Sequence, residues 1–173
     1  YALSNFYLNL SLYLNSDFIF NNTLLAENYL HLENYQDAKK IYLKFDFKDS
    51  IYTWYANKRL VWIKSRTENN DSAIIFLNKS FNELENPTVK NYYDLANYYK
   101  DFEKYEESIK YYTKVLHNIS NDHPLYSKIL HKRGMSYERL KLWEKFEDDL
   151  IHSLSIVPEE PYVLNYLAYS WLE

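Results

Sequence analysis

IFNNTLLAENYLHLENYQDAKKIYLKF, residues 19–45, reads as two amphipathic stretches joined by a polar break. From 19 to 32, apolar residues at Leu24, Leu25, Tyr29 and Leu32 fall three to four apart, the spacing that lines up one face of an α-helix. Glu33 and Asn34 interrupt it. A second helix is predicted from Tyr35 to about Phe45, with Ala38, Ile41, Tyr42 and Phe45 on its inner face, and residues 46–50 read as a loop.

The pattern recurs along the chain. A small residue follows a leucine or its stand-in at Leu25-Ala26, Leu60-Val61, Leu95-Ala96, Arg133-Gly134 and Leu167-Ala168, in steps of 35, 35, 38 and 34 residues. Periods of this length build stacks of helix pairs, each pair burying its apolar face against its neighbours. The motif Leu25-Ala26, Tyr29, Tyr35, Ala38, Tyr42 returns as Leu95-Ala96, Tyr99, Tyr105, Ser108, Tyr112, Val115. A third copy is Leu130, Gly134, Tyr137, Phe146, Leu150, Ser153, closed by Pro158.

This motif resembles the tetratricopeptide repeat, and the resemblance spans essentially the whole chain. It implies an all-α fold, a right-handed α-solenoid of antiparallel helix pairs in which small residues mark the closest approach of the two helices. One solenoid over 1–173 is expected, with units at 18–51, 52–87, 88–124 and 125–160. Residues 1–17 supply a second helix alone (Ser4, Leu8, Ser11, with Ser16 closing it). Residues 161–173 supply a first helix alone, from Pro161 through Leu164, Leu167, Ala168 and Trp171. Both ends should expose apolar faces.

Three irregularities stand out. Unit 52–87 matches least well: Lys64 stands where a Tyr is expected if Val61 and Ala73 are the small pair, leaving its register open by one residue. An extended loop from Asn118 to Pro124 accounts for the step of 38. Phe146 fills a position that wants Ala or Ser, and we expect the missing Cβ of Gly134 to make room for its ring.

Composition narrows the function. The chain has 173 residues, 47% of them apolar, with one Gly, four Pro and no Cys. The single glycine leaves no Walker or dinucleotide loop and no Gly-framed nucleophile turn. Absent cysteine excludes disulfides, thiolate zinc sites and thiol catalysis. A net charge of −4 argues against wholesale phosphate binding. The high share of Tyr, Asn, Lys, Ile and Phe is read as genome composition.

No histidine pair with helical zinc-site spacing occurs among His31, His117, His123, His131 and His152. His117 and His123 flank a loop containing Asn121 and Asp122, the one place a loop metal would fit. The acidic pairs Glu106-Glu107, Asp148-Asp149 and Glu159-Glu160 read as solvated helix faces, because neighbours in a helix point about 100° apart. Asn9–Ser11 and Asn78–Ser80 form glycosylation triplets, but Ser11 and Ser80 fall on packing positions. No catalytic residue, metal ligand or cofactor is assigned.

The resemblance implies that the first helix of each unit lines a ligand groove, at Lys58, Trp62, Arg66, Lys90, Tyr93, Asn97, Lys100, Lys128, His131, Met135, Tyr162, Asn165 and Tyr169. That face is cationic and aromatic on an acidic protein. It suits an extended or helical peptide carrying carboxylates. The Lys and Asn pattern by which some family members clamp a terminal carboxylate is not reproduced, since Tyr93 stands one turn before Asn97; Asn97 and Asn165 could still bond a peptide backbone. The expected role is a non-catalytic, bacterial protein-binding scaffold or assembly adaptor. One alternative is the substrate-recognition arm of a larger glycosyltransferase- or peptidase-like enzyme; another is RNA binding by an aromatic and basic helical array. No segment is apolar enough to span a bilayer, and the compartment stays open between cytoplasm and periplasm. The start at Tyr1, without Met or a signal n-region, reads as an interior piece of a longer chain.

Overall fold

The computed structural model describes residues 1–16, 18–45 and 50–170 and is all-α among them. Ten helices follow one another: α1 (Ala2–Leu14), α2 (Ile19–His31), α3 (Tyr35–Lys44), α4 (Ser50–Thr67), α5 (Asn70–Asn82), α6 (Val89–Asp101), α7 (Tyr105–Leu116), α8 (Tyr126–Arg139), α9 (Trp143–Ile156) and α10 (Pro161–Ser170). This is the helix-pair architecture of the α-solenoid class. The loop expected at 46–50 (except Ser50, which opens α4) and Trp171 lie outside the described residues. The helices gather into two compact units, α1–α5 within Tyr1–Glu85 and α6–α10 within Asn86–Glu173.

Small residues sit where the pairing needs them. Ala26, Ala38, Val61, Ala73, Ala96 and Ser108 are fully buried, and side chains this small let paired helices pack closely. The first unit's core joins Ala26, Leu30, Ala38, Tyr42, Ala56, Leu60 and Ile63, with Trp54 packed edge-on to Phe81 at 5.9 Å. The second unit has one core of Ala96, Tyr112, Val115, Leu116, Ile129 and Leu130 and another of Phe146, Leu150, Val163 and Leu167. In α4 the Lys64 ammonium lies 5.9 Å from the Phe76 ring centroid and binds Glu68 at 2.8 Å, a cation over an aromatic in place of the expected Tyr.

Three of the helix pairs turn in the same way. Glu33, Glu103 and Lys141 have positive φ of 57°, 60° and 59°. Around each, the following residue's N–H reaches back to close the turn: Asn34 to the Tyr29 carbonyl at 2.8 Å, Lys104 to Tyr99 at 2.8 Å, Leu142 to Tyr137 at 3.0 Å. With the inner bonds Glu33 to Leu30, Glu103 to Lys100 and Lys141 to Glu138, this is the Schellman arrangement. The residue that closes it is also the N-cap of the next helix. The left-handed conformation costs a non-glycine residue roughly 1–2 kcal/mol. Glu103→Gly should therefore raise stability by about 0.5–1 kcal/mol after the glycine's larger unfolded-state entropy is subtracted. A lower melting temperature would show that this backbone is not strained.

At the starts of α5 and α6 the caps are polar side chains. Asn69 accepts from the Ser72 N–H at 2.8 Å, and Thr88 and Asn91 form a reciprocal capping box at the start of α6. The loop from Asn118 to Pro124 is a run of tight turns, in which the His123 N–H bonds Ser120 O at 3.0 Å and the His123 Nδ1 accepts the Leu125 N–H at 3.2 Å.

Two expectations need correction. A Cβ on Gly134 would meet Leu150 Cδ1 at 2.6 Å, while Phe146 offers it only a backbone oxygen at 3.5 Å. Gly134 thus makes room for Leu150, and the Phe146 ring is buried in the core with Val163 and Leu167 of α10. Leu150 is fully buried and can yield little. Gly134→Ala should lower stability by about 1 kcal/mol, overpacking outweighing the better helix propensity. In a Leu150→Val background, which removes Cδ1, that loss should disappear in thermal melts.

Asp149 is likewise not on a solvated face. It is 5% exposed and holds Arg133 through two hydrogen bonds, at 2.6 and 2.8 Å. Arg133 also donates to Thr113 at 2.9 Å, so the pair joins α7, α8 and α9. Burial pushes the Asp149 carboxyl up, and Arg133 opposes that push.

Candidate functional site

The clearest gathering of recognition chemistry lies in the second unit, where a cavity of about 420 Å³ opens among α6, α7, α8 and α10. Lys100, His131, Lys132 and Arg139 bring cationic or titratable groups to it; Tyr105, Met135, Tyr162 and Tyr166 form its apolar part. No Asp or Glu is among these lining residues. Asp101 pairs with Lys100 at 3.0 Å, and Arg139 lies 3.7 Å from Glu138.

A part-buried polar triad holds the wall. The Tyr112 hydroxyl donates to Asn97 Oδ1 at 2.8 Å, and the Lys132 ammonium donates to the same oxygen. The Asn97 amide nitrogen donates to the Tyr93 carbonyl at 2.8 Å. Both ends of the Asn97 side chain are thus engaged inside the protein, and the amide props the wall instead of facing a ligand. The Lys132 Nζ also lies 5.2 Å from the Tyr93 ring centroid. Burial, and after it the charges of Lys100 and Lys128, push the Lys132 amine down.

His131 is half-buried, its ring 6.1 Å from that of Tyr166, and its Nε2 is buried with no hydrogen-bond partner among the described residues. Burial holds its pKa below the ordinary 6.5; Glu160 opposes this, and Lys132 and Lys100 add to it. The folded state therefore prefers the neutral ring, and the unfolded chain takes up the proton first. Stability should fall as pH drops below about 6.5 through the lower folded value. His131→Phe should remove that component, read as the difference between the two proteins' pH-dependent melting curves.

The sequence-predicted residues divide accordingly. Lys100, His131, Met135 and Tyr162 come together at the cavity. Lys90, Lys128, Asn165 and Tyr169 are exposed on the same helices and do not line it. In the first unit, Trp62 packs edge-on to Tyr35 at 5.7 Å, the Arg66 guanidinium lies 5.5 Å from the Trp62 ring centroid, and Lys58 is half-buried on α4 one turn earlier. Sequence reasoning missed Tyr105, Lys132, Arg139 and Tyr166. The available signal was register: Lys132 and Tyr166 each stand two residues before the small residue of their helix, Gly134 and Ala168.

The first unit holds a larger cavity, about 650 Å³, among α1, α2 and α3. Leu12, Ile19, Leu25 and Ile41 give it aliphatic walls, and its Asp37 is bound by Lys40 at 2.8 Å. Lys40, Lys44, Tyr29 and Phe45 also line it, but with Asp37 among them its lining is not purely cationic. Beside it lies a carboxylate version of the triad: Glu27 accepts from Tyr42, from Tyr55 at 2.6 Å and from Arg59 at 2.9 Å.

Residues 89–117 match the tetratricopeptide repeat family. Among solved structures, the chain is similar to YrrB, described as a tetratricopeptide-repeat protein with an unusual peptide-binding site, with a TM-score of 0.65 at 16% identity over 95% of this chain and 81% of that one. It is also similar to MamA, with a TM-score of 0.62 at 18% identity over 88% and 86%. A second MamA structure gives 0.59 at 18% over 86% and 78%. No curated protein matches the sequence.

Proposed function

Because the chain carries a tetratricopeptide repeat and has the fold of tetratricopeptide-repeat proteins, a fold that serves protein interaction, we propose that it is a non-catalytic scaffold or adaptor whose second unit binds a peptide or helix bearing acidic residues. The observation that carries this reading is the cavity at Lys100, His131, Lys132 and Arg139, which brings these groups together with Tyr105, Tyr162 and Tyr166 and has no lining carboxylate. Rings supply desolvated anchoring area, and the cations select charge and orientation. The peptide-binding site named for YrrB supports the same reading by likeness of fold.

Lys90, Lys128, Asn165 and Tyr169 are proposed as flanking contacts in that unit, and Lys58, Trp62 and Arg66 as a separate contact surface on α4. Among the described residues no helix is long and apolar enough to cross a membrane.

Selection from a random peptide display library, with wild type and a Lys100→Glu/Lys132→Glu double variant as baits, tests the proposal. Wild type should enrich sequences rich in Asp and Glu, and the variant should lose them. Identical enriched sequences from both baits would refute the site.

A further inference from the structure

The same repeat position is filled by a carboxylate in the first unit and by an amide in the second. Glu27 and Asn97 each stand immediately after the buried alanine of their helix, Ala26 and Ala96. Each accepts from a buried tyrosine fifteen residues on, Tyr42 or Tyr112. Each then takes a cation from a later helix, Arg59 or Lys132, in both cases two residues before that helix's own small residue. The kinds of partner correspond, a tyrosine and a cation on one acceptor side chain, but the charge of the acceptor does not.

In the first unit the Glu27 carboxylate neutralises Arg59, with Nε and Oε1 2.8 Å apart. In the second, Asn97 accepts a hydrogen bond from Lys132 and carries no charge. The lysine is held in place beside Lys100 and the unpartnered His131 Nε2 with its positive charge uncompensated by its fixed acceptor. Neutral acceptors fix a cation's position while leaving its field available to a ligand.

We propose that Asn97 is the specificity-determining residue of the second unit's cavity, holding Lys132 in place without neutralising it so that it receives, with Lys100 and His131, a carboxylate of an acidic peptide. This rests on the peptide-binding reading of that cavity. Asn97 acts through Lys132 and does not itself touch the ligand. Converting it to glutamate reproduces the first unit's neutralised triad, for which Glu27 supplies the precedent of fit beneath a tyrosine and beside a cation.

Fluorescence anisotropy with a fluorescein-labelled short peptide of alternating glutamate and leucine, against its glutamine and leucine counterpart, tests this on the whole chain. Wild type should bind the acidic peptide and not the neutral one. Asn97→Glu should weaken binding roughly tenfold or more with an unchanged or higher melting temperature, and Lys132→Met should weaken it comparably. Asn97→Asp, nearly isosteric with the native amide, serves if the longer side chain fails to fold, with the same expected loss. Binding lost in Lys132→Met but retained in a folded Asn97→Glu or Asn97→Asp would overturn the role of Asn97 and leave the cavity reading standing. No binding by wild type, or binding unaffected by Lys132→Met, would overturn both.

Discussion

Asp149→Ala is expected to destabilise the second unit by about 3–5 kcal/mol, because it leaves the Arg133 guanidinium, its side chain only 17% exposed, without its anion. The position explains the size of the effect. Arg133 occupies the slot that holds Leu25, Leu60 and Leu95 in the other repeats, all buried. There its charge is held by the bidentate contact to Asp149, with Thr113 at 2.9 Å and the Tyr137 ring centroid at 5.7 Å completing its surroundings. Arg133→Leu/Asp149→Leu should recover most of the loss, since apolar side chains suit a slot that leucine fills elsewhere. Urea unfolding of the single and double variants measures both steps. A single-variant loss below about 1 kcal/mol, the range of exposed pairs, would show that water reaches the guanidinium.

Glu27→Ala should cost about 2–4 kcal/mol, the second largest effect. It strips an acceptor from two tyrosine hydroxyls and an anion from Arg59 at once. Burial and the Glu27 carboxylate hold the Tyr42 phenol far above its ordinary range, so it remains a donor at any working pH. Glu27→Gln, which keeps an acceptor but loses the charge, should cost about 1 kcal/mol. Tyr42→Phe and Glu27→Ala should be less than additive in a double-mutant cycle, because the phenylalanine no longer needs the oxygen. Strict additivity would mean that the hydroxyl finds another partner.

The helices were legible in the sequence because their signal is local. Helices expected at 19–32 and 35–45 are found at Ile19–His31 and Tyr35–Lys44, and the small pair Val61 and Ala73 is fully buried in the unit whose register was open. The chemistry was harder to read because it depends on partners far along the chain. Asp149 reads as solvated from its type and its neighbour Asp148, and only its bond to Arg133, sixteen residues earlier across a helix hairpin, makes it a core residue. Lys132 is hard to single out beside His131 because neighbours in a helix point about 100° apart and a repeating register marks only one of them, whereas the cavity takes both. The Schellman turns carried no glycine to announce them, their left-handed positions being filled by Glu33, Glu103 and Lys141.

Those turns also set the grain of the molecule's cooperativity. In α2 with α3, α6 with α7 and α8 with α9, the residue that satisfies the last carbonyls of one helix is the same residue that begins the next. Fraying the end of the first helix would disturb the start of the second, which couples the two at the turn. The α4 and α5 pair separates these duties, with Glu68 continuing the first helix and Asn69 capping the second. In those three the pair, and not the single helix, is expected to be the smallest piece that gains or loses order, which amide hydrogen exchange on either side of each turn would measure.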